Sequence, residues 1–403
     1  MTLISLRAAA PRPSIDDLVS RADAIRVLVR SEAEQTEANR QVSVEAVERM
    51  RRTGLFRIMQ PAVYGGYEYG FDALVRAVAP VASGCGSAGW VFSLGIVHQW
   101  LAATFPKQAQ DEYWSDPDAI AAGSYAPVGK AAAADGGYRL SGSWSFTSGC
   151  DHAQWLFLGG MIPPTKDGAP PKPAFFLLPR ADVHFDDNWY TMGLAGTGSK
   201  NTVADDVFVP AHRVVPVADL LAGTTPGALV HDNPLYRQSM LSALPFALVA
   251  PILGIADGAL ADFVEMAKVR TTRGAVAGGN NRMAEFATVQ TRVAEATGSI
   301  EAARLTIFHA LEQAAIAAQR GEQAGLDLRQ RNRLAQAFSV RLAIQAVDAL
   351  FLASGGQSIF TGKPIQRAWR DAHAGGVHVS MNWDAVSTMY GQYALGIDPK
   401  GQY

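Results

Sequence analysis

The chain has 403 residues, 48% hydrophobic and 18% charged, enough apolar material for a large buried core in one multi-part globular unit or in two to three domains. Lys and Arg number 35 against 37 Asp and Glu, a formal net charge of -2. That balance excludes the electrostatic footprint of a nucleic-acid or anionic-lipid binder and points to a small-molecule partner.

In chain order, Met1 to Pro11 lacks the charged start and apolar stretch of a secretory signal, so a cytoplasmic protein is expected. The two cysteines, Cys85 and Cys150, are too few for a disulfide framework and agree with a reducing compartment. Ser14-Ile-Asp-Asp17 has N-cap character, and Leu18, Ala22, Ile25 and Leu28 recur on one helical face. The same pattern repeats from Val42 to Arg57. Pro61 to Gly66 reads as a turn, and a later helix carries Trp90, His98 and Trp100. These segments make residues 1–118 a helical domain.

Between 119 and 229 the texture changes to short alternating runs such as Tyr138 to Phe146 and Trp155 to Leu158, a compact β domain. Pro163 to Pro173 is too rich in Pro and Gly for a strand interior and reads as a surface loop. Residues 230–403 return to helix, with Ala-rich runs over Phe286–Ala318 and Leu328–Leu352 separated by a turn at Gln319–Gly325. Small residues on long helices suit close bundle packing and leave apolar faces for oligomerisation. The apolar window Met240–Leu260, interrupted by Pro245, Pro251 and Asp257, is expected as a buried core helix and not a membrane span.

Several chemistries find no support. Gly193 to Lys200 is glycine-rich but lacks the Gly-Lys-Ser/Thr ending of a P-loop, and no GxGxxG follows a strand. No Ser-His-Asp order or Gly-x-Ser-x-Gly elbow accompanies the serines. His373 and His378, five apart, do not stack on one helix face, so no metal site is expected. His98, beside Trp100 on its helix, Ser124, in a Gly123–Pro127 turn, and Ser148, at a strand end, are the polar groups left to weigh. Each alone is more often a satisfied core or turn residue than a catalyst.

The succession of motifs is more telling than any one of them. Trp144-Ser-Phe146-Thr-Ser148-Gly149, Met192 to Ser199, Val207 to Pro210, Arg270, Gly355-Gly356-Gln357 and Pro364 to Asp371 follow one another across nearly the whole chain. Together they resemble the acyl-CoA dehydrogenase fold: an α+β, mostly α architecture of an N-terminal helical domain, a central β-barrel domain and a C-terminal four-helix bundle. Dehydrogenases of that fold often carry a proton-abstracting glutamate a turn or two beyond the Arg-Asp pair. This chain has Val377-His378-Val379-Ser380 there, and Glu295 is an ordinary helix-surface charge as a substitute. Trp90, His98, Ser124, Ser148-Gly149-Cys150, His378 and Asn382-Trp383-Asp384 instead resemble the oxygenase component of two-component flavin monooxygenases, the group of 4-hydroxyphenylacetate 3-hydroxylase and of phenol, steroid-phenol and indole oxygenases.

That resemblance implies hydroxylation of a small aromatic substrate with O2 and reduced flavin through a C4a-hydroperoxyflavin. It implies catalytic roles for His378, Ser148, His98 and Ser124, with Ser148 near flavin N5 and His378 at the reactive edge of the ring. Trp144, Thr197 and Ser199 join Ser148 on the cofactor. Arg270, Gly355, Gly356 and Gln357 reach the flavin tail, reduced FMN or reduced FAD, from a neighbouring subunit. His98, Ser124, Tyr236 and Trp383 face the substrate. The implied partners are a separate NAD(P)H-flavin reductase and further copies of the chain in a homotetramer. An acyl-CoA dehydrogenase, a flavin N- or S-oxygenase on the same scaffold, and a silent helical scaffold are the alternatives.

Overall fold

A computed structural model describes residues 12–164, 169–272 and 281–401. The N-terminal segment 1–11 and positions 165–168 of the Pro-rich loop lie outside the described residues. Six helices come first: α1 (Ile15–Ser31), α2 (Ala33–Asn39), α3 (Val44–Arg52), α4 (Phe71–Gly84), α5 (Gly86–Ala103) and α6 (Lys107–Tyr113). α1 starts at a capping box in which the Ser14 hydroxyl accepts from the Asp17 N–H and the Asp17 carboxylate accepts from the Ser14 N–H, each at 3.1 Å. Its buried stripe is Leu18, Ala22, Ile25 and Val29. α3 is shorter than the periodicity predicts. It stops at Arg52, and after Gly54 (φ 73°) Leu55–Met59 winds as a 3-10 helix, because the left-handed glycine breaks the α ladder.

α5 is the spine of the molecule. All of its residues from Gly86 to Ala103 are buried, and a helix apolar on every side must sit inside the core. α4 lies against it on one side.

The middle of the chain forms a seven-stranded sheet from β1 (Ala121–Ala134), β2 (Gly137–Thr147), β3 (Trp155–Ile162), β4 (Lys172–Pro179), β5 (His184–Asp186), β6 (Lys200–Pro210) and β7 (Val214–Pro216). The strand order is β5-β6-β2-β1-β3-β4-β7, and only the β1–β3 pairing is parallel. Period-2 alternation divides the strands between two cores. Leu156, Leu158, Phe176 and Leu178 point into a core within the β domain, with Leu140 and Trp144. Their neighbours Phe157, Phe175 and Leu177 pack into the large helical core instead. The Gly123–Pro127 run, expected as a turn, lies inside β1. The ladder with β3 shifts register between Ser124 and Gly129, so the Gly and Pro residues mark an irregularity in a strand rather than its end.

Apart from a two-residue antiparallel ladder between Thr271–Thr272 and Asn281–Arg282, the rest is helical: α7 (Val217–Ala222), α8 (Met240–Ala243), α9 (Phe246–Val269), α10 (Ala287–Gln319), α11 (Leu326–Ala353), α12 (Pro364–Gly376) and α13 (Trp383–Ala394). α9 packs against α4, α5, α10, α11 and α12 and is largely buried, as expected of its apolar sequence. Met240–Val269 and Leu326–Ala353 are long and apolar enough to cross a membrane by length and composition, but 89% of the first window is buried inside the fold. Leu352, Ile359, Phe360, Val377 and Val379 leave apolar side chains exposed near the C-terminal end.

Candidate functional site

Ser148 opens the turn after β2, and its loop is stitched to the segment before β6. Gly149 N–H donates to the Thr197 carbonyl at 2.9 Å, and Cys150 Sγ to the Gly198 carbonyl at 3.4 Å. The side chains are linked as well: Ser148 Oγ lies 2.6 Å from Ser199 Oγ, Ser199 Oγ 2.6 Å from Thr197 Oγ1, and Thr197 Oγ1 donates to the Leu194 carbonyl at 2.7 Å. Ser148, Ser199 and Thr197 are all buried. Two residues before Ser148, Phe146 adopts φ 68° and remains 68% exposed, with its ring edge-to-face on Trp189. A non-glycine residue held in the left-handed region with its ring outside marks a constrained, solvent-facing surface. Trp144 does not share it. Its indole is buried in the core of the β domain and donates to the Gly159 carbonyl at 2.6 Å; regular alternation would put residues 144, 146 and 148 on one face, and the register shift between Trp144 and Thr147, with Phe146 at positive φ, is what parts them.

The Arg370-Asp371 pair supports this loop from the other side. Asp371, buried on α12, accepts the Leu194 N–H at 2.6 Å, and burial pushes its carboxyl up to about 6. Arg370 bonds Glu37 and the Met192 carbonyl, and Arg367 bonds Glu37 at 2.9 Å. The motif therefore clamps residues 192–194, which carry the carbonyl that ends the hydroxyl chain.

His378 follows α12 in a turn. Its Nδ1 accepts the Ser380 N–H at 3.1 Å, so the neutral ring carries its proton on Nε2, which has no protein partner among the described residues. Burial and the nearby Arg333 cation push the imidazole down to about 4. Arg333 is itself buried and donates to Ser380 and Gln336. The His378 ring sits 6.2 Å from that of Trp90 on α5.

His98 lies eight residues further along α5, about 12 Å along the helix axis. Nδ1 is 2.6 Å from the Ala121 carbonyl and Nε2 2.6 Å from the Tyr125 hydroxyl. A carbonyl only accepts, so Nδ1 carries the proton and Tyr125 donates to Nε2. Burial holds this imidazole down to about 4. Both ring nitrogens are thus satisfied inside the protein, and Tyr125 stacks on Phe175 at 5.0 Å against the helical core. Tyr125 was missed by sequence reasoning. The signal was present in its place beside Ser124 in the irregular part of β1. Ser124, on the opposite face of the strand, donates to the Ser145 carbonyl at 2.7 Å.

α5 holds these groups in one frame. Trp90 meets His378, Val91 borders Gly149, Ser87 borders Gly196, and His98 meets Tyr125. No hydrogen bond joins His98, Ser124, Ser148 and His378 directly among the described residues.

The remaining candidates form separate groups. Arg270, after α9, donates to the Ser354 carbonyl at 2.6 Å beside Gly355, whose φ is 69°. Gly355, Gly356 and Gln357 are exposed, and nothing approaches the place of a Gly356 side chain. Tyr236 is buried, donating to the Met59 carbonyl at 3.1 Å and packed on His231. Trp383, at the start of α13, lies against Phe338 with Arg341 over its ring. A cavity of about 250 Å³ opens between α8, α9, α10 and α11, with Arg237, Ser239, Phe246 and Asn332 in its wall. None of His98, Ser124, Ser148 or His378 lines it. Among the described residues no group of His, Cys, Asp and Glu is placed to hold a metal ion.

Known proteins share this architecture. The acyl-CoA dehydrogenase N-terminal domain matches residues 21–119, and the acyl-CoA dehydrogenase C-terminal domain matches 246–383. The FADH(2)-dependent resorcinol hydroxylase oxygenase component of Rhizobium sp. (strain MTP-10005) is 47% identical over 96% of both chains. The flavin-dependent monooxygenase oxygenase subunit HsaA of Rhodococcus jostii (strain RHA1) is 40% identical over 94% of this chain and 98% of its own. The crystal structure of 3-HSA hydroxylase from Rhodococcus sp. RHA1 superposes with a TM-score of 0.90 at 37% identity, covering 96% of this chain and 98% of that one. XiaF from Streptomyces sp., in complex with FADH2 and glycerol, gives 0.88 at 28% identity over 96% and 97%. Fold, residue pattern and full-length similarity agree: this chain belongs to the oxygenase components of flavin-dependent monooxygenases, enzymes on the acyl-CoA dehydrogenase fold that use reduced flavin and O2.

Proposed function

We propose that this chain hydroxylates a small phenol. The observation that carries the reading is His378: where a dehydrogenase of this fold often places a carboxylate base, the chain presents a neutral imidazole whose Nε2–H is free to donate. A donor suits oxygen chemistry and cannot abstract a proton from a thioester substrate. The full-length similarity to a resorcinol hydroxylase supports a phenolic ring as substrate.

Bound reduced flavin supplies two electrons to O2; one oxygen atom replaces a ring hydrogen of the phenol and the other leaves as water. The protein's part is to position and exclude water. Ser148 holds the flavin at N5, and Phe146 on the same surface shields the ring. Arg270 binds phosphate of the tail, with Gly355, Gly356 and Gln357 bordering it and no glycine side chain in the way. Since the Arg270 group is exposed at the helix ends, it serves the flavin of a neighbouring copy in a homotetramer, and the apolar residues exposed near it support such contacts. Thr197 and Ser199 act behind Ser148.

The substrate hydroxyl donates to Tyr125, whose own proton is held by His98 Nε2, so His98 draws on the phenol through Tyr125. Ser124, Tyr236 and Trp383 complete the substrate assignments, with Ser124 closest in sequence to Tyr125. Trp144 is assigned to packing behind the flavin surface. We divide the chain at 118 and 229 into helical, β and helical-bundle domains, place it in the cytoplasm, and assign delivery of reduced FMN or reduced FAD to a separate NAD(P)H-dependent reductase.

The test mixes protein with chemically reduced FMN or FAD without oxygen, adds resorcinol or another simple phenol, and then admits O2. Hydroxylated product formed with one of the flavins is the expected outcome. Hydrogen peroxide as the sole product across a panel of phenols would overturn the reading.

A further inference from the structure

We propose that the Thr197 and Ser199 hydroxyls fix Ser148 as a hydrogen-bond acceptor toward flavin N5, and that this polarity makes the site select reduced over oxidised flavin. The inference rests on the reading that Ser148 borders N5. It follows from counting protons. Each hydroxyl has one. Thr197 spends its proton on the Leu194 carbonyl at 2.7 Å, because a carbonyl only accepts. In the 2.6 Å contact between Thr197 and Ser199 the proton is therefore Ser199's. In the 2.6 Å contact between Ser199 and Ser148 it is Ser148's. What Ser148 has left to offer a ligand is its lone pairs.

The end of the chain is held firmly. Leu194 is in the left-handed region at φ 51°, its N–H is taken by the buried Asp371 carboxylate at 2.6 Å, and its carbonyl also accepts from Trp189 Nε1 at 3.1 Å. Thr197 and Ser199 are each only 3% exposed, so water does not offer the protons another partner. Reversing Ser148 requires reversing Ser199 and Thr197 as well and takes the Thr197 proton from the Leu194 carbonyl, which then keeps only the Trp189 N–H: one buried hydrogen bond fewer than in the arrangement seen.

Reduced flavin carries hydrogen on N5 and oxidised flavin a lone pair. An acceptor meets the first as a hydrogen bond and the second as two facing lone pairs. The difference is built in before the flavin arrives, so no reorganisation offsets it. Thr197 and Ser199 are positioning residues in this scheme: they act through Ser148 and select the redox form that the reaction consumes.

The experiment measures dissociation constants for oxidised flavin in air and for chemically reduced flavin without oxygen, on the full-length protein. Thr197→Val removes the acceptor for the Ser199 proton, which then turns to Ser148 and releases the Ser148 proton toward N5. Ser199→Ala frees that proton directly. Both variants are expected to lower the ratio of oxidised to reduced dissociation constants about tenfold, one hydrogen bond's worth, with Thr197→Ser restoring it. Circular dichroism checks folding, and Ser199→Ala decides if Thr197→Val does not fold. A merely structural role weakens both forms together and leaves the ratio unchanged, which overturns the inference. Wild-type protein that binds neither form overturns the reading of the site itself and the inference with it.

Discussion

Two histidines with the same acidity do opposite things in this protein. Burial lowers both His98 and His378 to about 4, so both are neutral at physiological pH. His98 has both nitrogens engaged, by Ala121 and Tyr125, deep between α5 and β1. His378 sits in a turn with one nitrogen engaged by Ser380 and the other free. A depressed pKa thus reports desolvation in both places, and only the count of unengaged ring atoms separates a histidine whose nitrogens are both spent within the protein from one with a nitrogen left to offer a ligand.

Substitution should break the pair apart. His98→Ala is expected to cost about 3 kcal/mol of folding stability, since it opens a core cavity and strands the Ala121 carbonyl and Tyr125 hydroxyl. His378→Ala should cost only about 1 kcal/mol in the same urea titration, while lowering the rate of phenol hydroxylation by roughly 100-fold. Equal stability losses in the two variants would erase the distinction.

A smaller effect tests how far the site extends beyond that pair. Arg270→Ala should weaken flavin binding about tenfold, by loss of one charge-assisted contact, and leave the urea midpoint nearly unchanged. Unaltered affinity would remove the Gly355 region from the cofactor site.

The smallest effect is in pH. Both histidines have folded pKa values below their unfolded value near 6.5, so between pH 6.5 and 4 the unfolded chain binds protons that the folded chain refuses. Stability is full above pH 6.5 and is lost as pH falls toward 4. Asp371 opposes this below about pH 6, because its raised carboxyl takes a proton in the folded state before it would in the unfolded one. A melting temperature lower by a few degrees at pH 5 than at pH 7 is expected, with a shallower slope in His98→Gln. A profile that rises on acidification would reverse the assignment.

Much of the architecture was legible because periodicity reports burial. The stripe of α1, the alternation of β3 and β4 and the predominantly apolar first half of α9 each name the surface they cover. Gly54 and the irregular part of β1 were harder, since Gly and Pro signal a departure from regular structure without saying whether a turn, a 3-10 segment or a shifted ladder results. At the site, motif order singled out Ser148 and His378 as candidates. It could not orient side chains: Trp144 and Phe146 are two residues apart on the strand, yet one is sealed in the β core and the other lies at the surface. Tyr125 escaped notice because its importance comes from a contact with His98 across 27 positions.

The complete burial of α5 sets where such an enzyme has freedom to change. With all of Gly86 to Ala103 enclosed, a new side chain on this helix competes for space already filled before it can alter a ligand's surroundings. Retuning the choice of substrate therefore falls to segments with room to spare, such as the shifted part of β1 beside Tyr125. A mutagenesis library aimed at new substrates gains more from those positions than from the helix that carries Trp90 and His98.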